Sequence, residues 1–429
     1  MLLKELTKKS LSVFIIRIIG VFVLFIFTLF ITNLFTAENV GRYDFVRSTL
    51  MIAGGIALMG TNQSIIYYSG LLKARNSMGS IRKIYFKMFK IISAISILIL
   101  LLFVFISGAN EKFINSIFNK PDAFSLIFKA FVSLLFFTST MLNIDTIRAI
   151  QKTMISELYR NILRYIPVFL GAIVLFFLEK QDLIVDIYLF GFFILSFLST
   201  AQVLYEFKKD YSSKNNTISF STNQILSVSA PMAISAMAYF IMQSIDVIIL
   251  AIYEGFDEVA YYSVAVKLAT LTALALLSVN IVVAPKIAEI YENNKMKEMQ
   301  KIIKNSTRII FIISLSTLIL LCVFSGPILE LFGPKYLVAN QALLILLFAQ
   351  FFNSISGPGA IYLNMTKRQS TLNKILFSGL IINVILNFYL IPDFGINGAA
   401  MATFISLIFW NILIIIYVYW KDKIKVFLN

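Results

Sequence analysis

Histidine is absent from the 429 residues, and cysteine occurs once, at Cys322 within an apolar run. Counting alone therefore excludes disulfide frameworks and Cys/His metal sites, while a cation site built only from carboxylates stays open. Charge is also scarce, 14% of residues against 59% hydrophobic, a balance that cannot give a chain of this length a water-soluble surface. Acids are fewest, 22 against 37 lysines and arginines. The resulting charge of +15 would suit nucleic acid only if the cations formed a stripe on a soluble face. They sort by loop instead, so nucleic acid is not an expected partner. No Gly-x-x-x-x-Gly-Lys-Ser/Thr stretch is present, and Gly357-Pro358-Gly359 reads as a helix breaker, so ATP is not the direct fuel. A membrane glycosyltransferase or polysaccharide polymerase would need a metal-ready acidic pair or a large exposed loop. There is no Asp-x-Asp triplet, and the expected outer loops are no longer than roughly fifteen residues. The chain reads as a non-enzyme without a cofactor.

Long apolar runs fill the space these absences leave. A hydrocarbon core about 30 Å thick needs roughly 20 apolar residues per helix. Runs apolar all round, such as Ile91 to Ile106, exclude the alternation of a porin-type barrel. The spacing predicts about twelve transmembrane helices, near 11–35, 45–68, 88–107, 123–144, 161–178, 184–205, 225–253, 259–284, 309–325, 339–362, 375–391 and 398–420. The first is too long for a signal-peptide core and has no small-residue cleavage site after it, so it counts as a span. Of the 37 cations, 28 fall in alternate loops, among them Lys208, Lys209 and Lys214, and only Arg42, Lys112, Lys120, Lys180 and Lys335 lie on the opposite side. The basic side is the cytoplasmic one, which puts both termini there and predicts a multi-pass membrane protein.

Three short matches relate the halves. Glu38-Asn-Val-Gly-Arg-Tyr43 pairs with Glu258-Val-Ala-Tyr-Tyr262, Phe105-Ile-Ser-Gly108 with Phe324-Ser-Gly326, and Ala149-Ile-Gln-Lys152 with Asn364-Met-Thr-Lys367. The common offset predicts a parallel internal repeat of two six-helix bundles, 1–215 and 216–429, with substrate at their interface.

Four cations fall within the spans: Arg17, Arg47, Lys129 and Lys267. Charge deep in a bilayer is costly and usually faces a bundle interior or an aqueous cavity. Arg17, Arg47 and Lys129 lie near enough to their helix starts to snorkel, whereas Lys267 lies about 12 Å deep, counted from its expected start. Asp246, at similar depth, either pairs with Lys267 across a helical hairpin or lines a cavity with it. Asn62, Gln63, Gln243, Asn280, Asn353, Asn383 and Asn387 read as cavity lining or interhelical glue. Pro231 should kink its helix, and Gly357 to Gly359 should break theirs.

The stretch Asn383-Val-Ile-Leu-Asn-Phe-Tyr-Leu-Ile-Pro-Asp-Phe-Gly-Ile-Asn-Gly-Ala-Ala-Met-Ala-Thr403 resembles the penultimate helix, outer turn and last-helix start of the polysaccharide transporters. These form one branch of the multidrug, oligosaccharidyl-lipid and polysaccharide exporter superfamily, which includes the Wzx-type O-antigen flippases. Gly41-Arg-Tyr-Asp-Phe45, Ala230-Pro231 with Asp246, Tyr261-Tyr-Ser-Val-Ala-Val-Lys267 and Leu331-Phe-Gly-Pro-Lys-Tyr336 extend the likeness over nearly the whole chain. The resemblance implies an all-α membrane protein, a V-shaped pair of bundles working by alternating access. It further implies export of a polyprenyl-diphosphate-linked oligosaccharide, an O-antigen or capsule repeat for lipopolysaccharide biosynthesis, across a bacterial inner membrane, with membrane lipids and a polysaccharide polymerase as partners. Arg17, Arg47, Lys129 and Lys267 would then line a cationic cavity, and Asp246 would couple transport to H+ or Na+. A drug antiporter of the same superfamily would favour an acidic, aromatic pocket, and lipid II flippases carry two further helices.

Overall fold

The computed structural model describes residues 2–75, 77–107, 111–210 and 218–428. Gly108 and Lys214, used above for the repeat and the charge count, lie outside them. Among the described residues there is helix but no strand, as a chain must be when its backbone polar groups are satisfied within each segment in lipid. The chain forms two compact units, one through Ser244 and one from Ile245.

The first unit comprises α1 (Leu2–Leu34), α2 (Ala37–Leu58), α3 (Thr61–Ala74), α4 (Ile81–Ser107), α5 (Glu111–Phe118), α6 (Ala123–Val132), α7 (Leu134–Ala149), α8 (Thr153–Leu158), α9 (Ile166–Phe177), α10 (Ile184–Asp210) and α11 (Thr222–Met242). Thr36 caps α2 by accepting from the Asn39 amide at 3.3 Å, with Glu38 in the first turn. Met59 and Gly60, both with positive φ, break the expected second span, and α3 leaves at 43° to α2. A second bend of 44°, at Ser133, separates α6 from α7. Between α8 and α9 the turn Tyr159–Leu163 is π-helical, a local widening that is common where side chains must be re-aimed. The helix α11 runs through Pro231 without interruption and packs on α2 and α3. It therefore groups with the first unit, whereas a division at 215 would put it in the second.

The second unit comprises α12 (Ile245–Tyr253), α13 (Phe256–Ala269), α14 (Leu274–Glu292), α15 (Met296–Val323), α16 (Ser325–Glu330), α17 (Asn340–Ile355), α18 (Gly359–Met365) and α19 (Gln369–Asp422). Gly357, at φ +72, separates α17 from α18 where Pro358 removes a donor. The 54-residue α19 contains a non-helical Gly395, so it is two helices end to end. Among the described residues, eight helices are long and apolar enough to cross a membrane, or up to ten if each bent pair counts as one. The twelve expected spans fall mainly on helix, with breaks inside them at Met59–Gly60, Ser133, Gln243–Ser244 and Ser356–Pro358 among others.

Candidate functional site

In the first unit, two arginines and three tyrosines gather on α2, α10 and the turn before α9, all within membrane-spanning candidates. Arg47 is ten residues beyond Ala37, about 15 Å along the axis. The expected start at residue 45 made it shallow, and the true helix start makes it deep. Its Nε donates to Asp44 Oδ1 at 2.9 Å, and the Asp44 side chain is wholly buried. Arg164, just past the π turn, lies with its guanidinium 5.3 Å over the Tyr165 ring. Both guanidiniums lie within electrostatic reach of Tyr43, Tyr188 and each other. The Tyr43 and Tyr188 rings meet edge to face at 4.9 Å. Tyr188 Oη is buried without a hydrogen-bond partner. Two cations against one carboxylate, with a spare phenolic donor, form a cluster whose charge balance suits an anion.

The other sequence-selected cations of this unit lie elsewhere. Arg17 forms a two-pronged ion pair with Glu157, Nε to Oε2 at 2.8 Å and Nη2 to Oε1 at 2.9 Å, and Asn161 donates to the same carboxylate at 3.0 Å. Gly20 makes this possible, because a Cβ there would stand 2.7 Å from the Asn161 carbonyl oxygen. Arg160 donates to Asp145 at 2.5 Å, and Lys152 lies 3.3 Å from Glu206. Lys129 pairs with Asp186 at 2.8 Å in an open groove on α6 and α10, apart from Arg47.

The acids Asp44, Asp145, Glu157 and Glu206 and the arginines Arg160 and Arg164 carry these arrangements, and hydropathy assigned them to loops or span margins. Asp44, Asp145 and Glu206 each sit one residue outside an expected span. A sliding apolar window stops at the first charge, whether or not that charge is paired. The signal that could have revealed them is an acid and a cation both sitting at span margins on neighbouring helices.

In the second unit, the buried Asp246 is held by neutral donors. Asn387 Nδ2 reaches Oδ1 at 2.7 Å, Tyr262 Oη reaches Oδ2 at 3.0 Å, and Thr403 Oγ1 donates to the same oxygen. The hairpin partner of Asp246 is Tyr262, not Lys267, which projects about 140° further round α13 at about 100° per residue. The hydrogen bonds of Asp246 thus run to neutral side chains of α13 and of both halves of α19. Asn387 also donates to the Asn383 carbonyl and side chain, at 2.9 and 3.1 Å, which leaves its own Oδ1 buried without a partner. Asn353 accepts from Asn411 at 3.1 Å. Asn62 lies near Asp145, Asn280 is half-buried, and Gln63 and Gln243 are exposed. No cluster of three or more metal-binding side chains occurs among the described residues.

The sequence model of the family described as polysaccharide biosynthesis protein matches residues 6–291. The chain belongs to that family. The MatE model matches residues 231–389. An uncharacterized membrane protein of Methanocaldococcus jannaschii, MJ1068, is 34% identical over 165 residues, 38% of this chain and 32% of its own length. The probable low-salt glycan biosynthesis flippase Agl15 of Haloferax volcanii is 25% identical over 174 residues, 40% of this chain and 37% of its own. These matches span about a third of the curated relatives' length. In fold, the chain is similar to the lipid II flippase MurJ in an inward closed conformation. The TM-score is 0.73 at 16% identity, over 96% of this chain and 88% of that one. An inward-facing multidrug resistance transporter of the MATE family gives a TM-score of 0.71 at 14% identity, over 96% and 98%. This family member is thus a multi-pass membrane protein whose helical fold is similar to those of the two solved transporters.

Proposed function

We propose that the chain moves a polyprenyl-diphosphate-linked oligosaccharide from the cytoplasmic to the outer leaflet of its membrane, driven by an ion gradient. The observation that carries this reading is the buried cluster of Arg47, Arg164 and Tyr188. A diphosphate needs compensating cations and donors to cross the bilayer interior, and this cluster supplies them. The family membership and the naming of Agl15 as a probable flippase support the same substrate class. A cationic drug would meet two guanidiniums in the first unit, which disfavours the multidrug reading. Arg17 and Lys129, each tied to an acid, contribute less to such a cluster than sequence alone suggested, and Lys267 remains a candidate for the substrate path. Asp246 is the coupling group: its carboxylate and the unpartnered Asn387 oxygen offer hard oxygen ligands for a proton or Na+. An O-antigen or capsule repeat, a bacterial inner membrane, cytoplasmic termini, a division of the chain into two six-helix repeats and assembly with a polymerase complete the proposal.

The test uses vesicles containing the full-length protein and a polyprenyl-diphosphate disaccharide, with exposure of the sugar read by an impermeant oxidant. A proton or sodium gradient should drive exposure, and Asp246→Asn should remove the gradient dependence. Tyr188→Phe deletes a hydroxyl that bonds nothing in the resting protein, so thermal stability should hold while transport slows roughly tenfold, the worth of a hydrogen bond to a charged group. No exposure under either gradient would overturn the function. Full activity in Tyr188→Phe would remove this cluster from it.

A further inference from the structure

The Lys129–Asp186 pair is out of place. Each side chain is about two-fifths exposed, at 40% and 41%, inside an apolar span where uncompensated charge is costly. The membrane boundary on this side can be located from α5. Phe113, Ile114 and Ile117 share one face of that helix, no residue of it is fully buried, and Phe113 is 60% exposed, while Phe118 at its end packs on Phe45. Such a helix lies in the interface with its apolar face in lipid. It is fastened to the start of α6 by Asn115, which accepts from the Phe124 amide and donates to the Pro121 carbonyl, both at 2.9 Å. The first turn of α6 is therefore at the boundary.

Lys129 lies six residues further, about 9 Å down the axis, and its side chain leans back toward the helix start. The ion pair thus sits near the junction of headgroups and acyl chains, since the polar zone is roughly 5 to 7 Å deep on each side. Beyond it runs a groove of about 400 Å³ along α6, the bend at Ser133 and α10, lined by Phe128, Val132, Phe136, Phe190 and Phe193. Phe136 and Phe193 meet edge to face at 5.1 Å.

A cation and an anion side by side at headgroup depth, continuous with an aromatic trough, have the charge pattern of one ligand. We infer that this groove holds a zwitterionic phospholipid, its phosphate on Lys129, its ammonium on Asp186 and one acyl chain along the phenylalanines. The inference does not depend on the transport reading. An occupant of this kind gives each half-exposed member of the ion pair an opposite charge at the edge of the hydrocarbon, and the apolar trough gives the chain a place that bulk lipid does not.

The full-length protein, stripped of lipid in detergent, is offered phosphatidylethanolamine, phosphatidylglycerol or diacylglycerol, and bound lipid is counted by native mass spectrometry. One phosphatidylethanolamine should be retained in preference to the other two. Lys129→Gln with Asp186→Asn keeps the shape and the hydrogen bond without the charges, and should weaken that preference roughly fivefold, as for a partly exposed ion pair. Val132→Trp fills the trough from a position already 45% exposed and should block retention. Equal retention of diacylglycerol, or an unchanged preference in the neutral pair, would overturn the assignment. The headgroup series on the unaltered protein decides the matter even if a variant fails to insert.

Discussion

Arg17 and Glu157 show how a charge can be deep, conspicuous in the sequence and structural. The Glu157 side chain is 1% exposed, and both of its oxygens are taken by one guanidinium. Removing Arg17 alone leaves a buried carboxylate without its cation, which should cost about 3 kcal/mol. Removing both charges should recover most of that loss, because no unpaired charge remains. Melting of Arg17→Ala, Glu157→Ala and the double variant in detergent measures it, and a double variant no more stable than the worse single one would show that the pair does not hold the fold. Arg17, Arg47 and Lys129 were legible in the sequence as cations inside spans. Their partners were not, because pairing is set by which helix faces which, and a hydropathy window ends at Asp44, Asp145 and Glu206 regardless. Asp246 was legible by its depth, and its neutral cage was half-legible: the spacing of Asn383 and Asn387 marked one helical face, while Tyr262 and Thr403 had no signal of their own.

Helices were easier to read than their breaks. The Gly357-Pro358 break follows from covalent geometry, since proline lacks a donor and glycine takes the positive φ. The bend at Met59 and Gly60 has a different origin, because it is set by a neighbour. Gly60 holds φ +70, and a Cβ there would stand 2.3 Å from the Ser229 carbonyl oxygen on α11. Gly60→Ala should therefore be destabilising by about 1 to 3 kcal/mol, the usual cost of a strained backbone position, with α11 pushed off α3 in addition. Gly70, whose Cβ would meet nothing within 4 Å, is the control: Gly70→Ala should be neutral or slightly stabilising in the middle of α3. Comparable melting of the two variants would mean that the turn tolerates a side chain. The Lys423–Leu428 tail is another feature set by contact, with Val426 buried and its carbonyl accepting from Thr307 at 3.0 Å. Arg368 grips Asp422 beside it, and that carboxylate holds the guanidinium above its ordinary pKa.

At the scale of the chain, the number of crossings decides which surfaces share a side, and two segments control the count. Taken as a single span, α19 would be about 80 Å long, far more than a 30 Å hydrocarbon core can hold at any ordinary tilt. Its break at Gly395 lets it cross, turn and return. The segment from α11 to α12 is interrupted at Gln243 and Ser244, and it is absent from the eight helices that qualify by length and hydropathy. If it crosses, three crossings separate Lys180 from Asn294 and the two lie on opposite faces. If it does not, two crossings separate them and they lie on the same face. The chain's single cysteine makes this measurable. Cys322→Ser should be well tolerated at a half-buried position, and cysteines can then be placed one at a time at Lys180, Asn294, Lys367 and Lys423. The charge distribution predicts that an impermeant maleimide labels only position 180 in intact cells, and labels the other three after permeabilisation. Labelling of 180 and 294 from one side would remove the α11–α12 crossing. Labelling of 367 and 423 from opposite sides would remove the return at Gly395, and with either loss the twelve-span order fails.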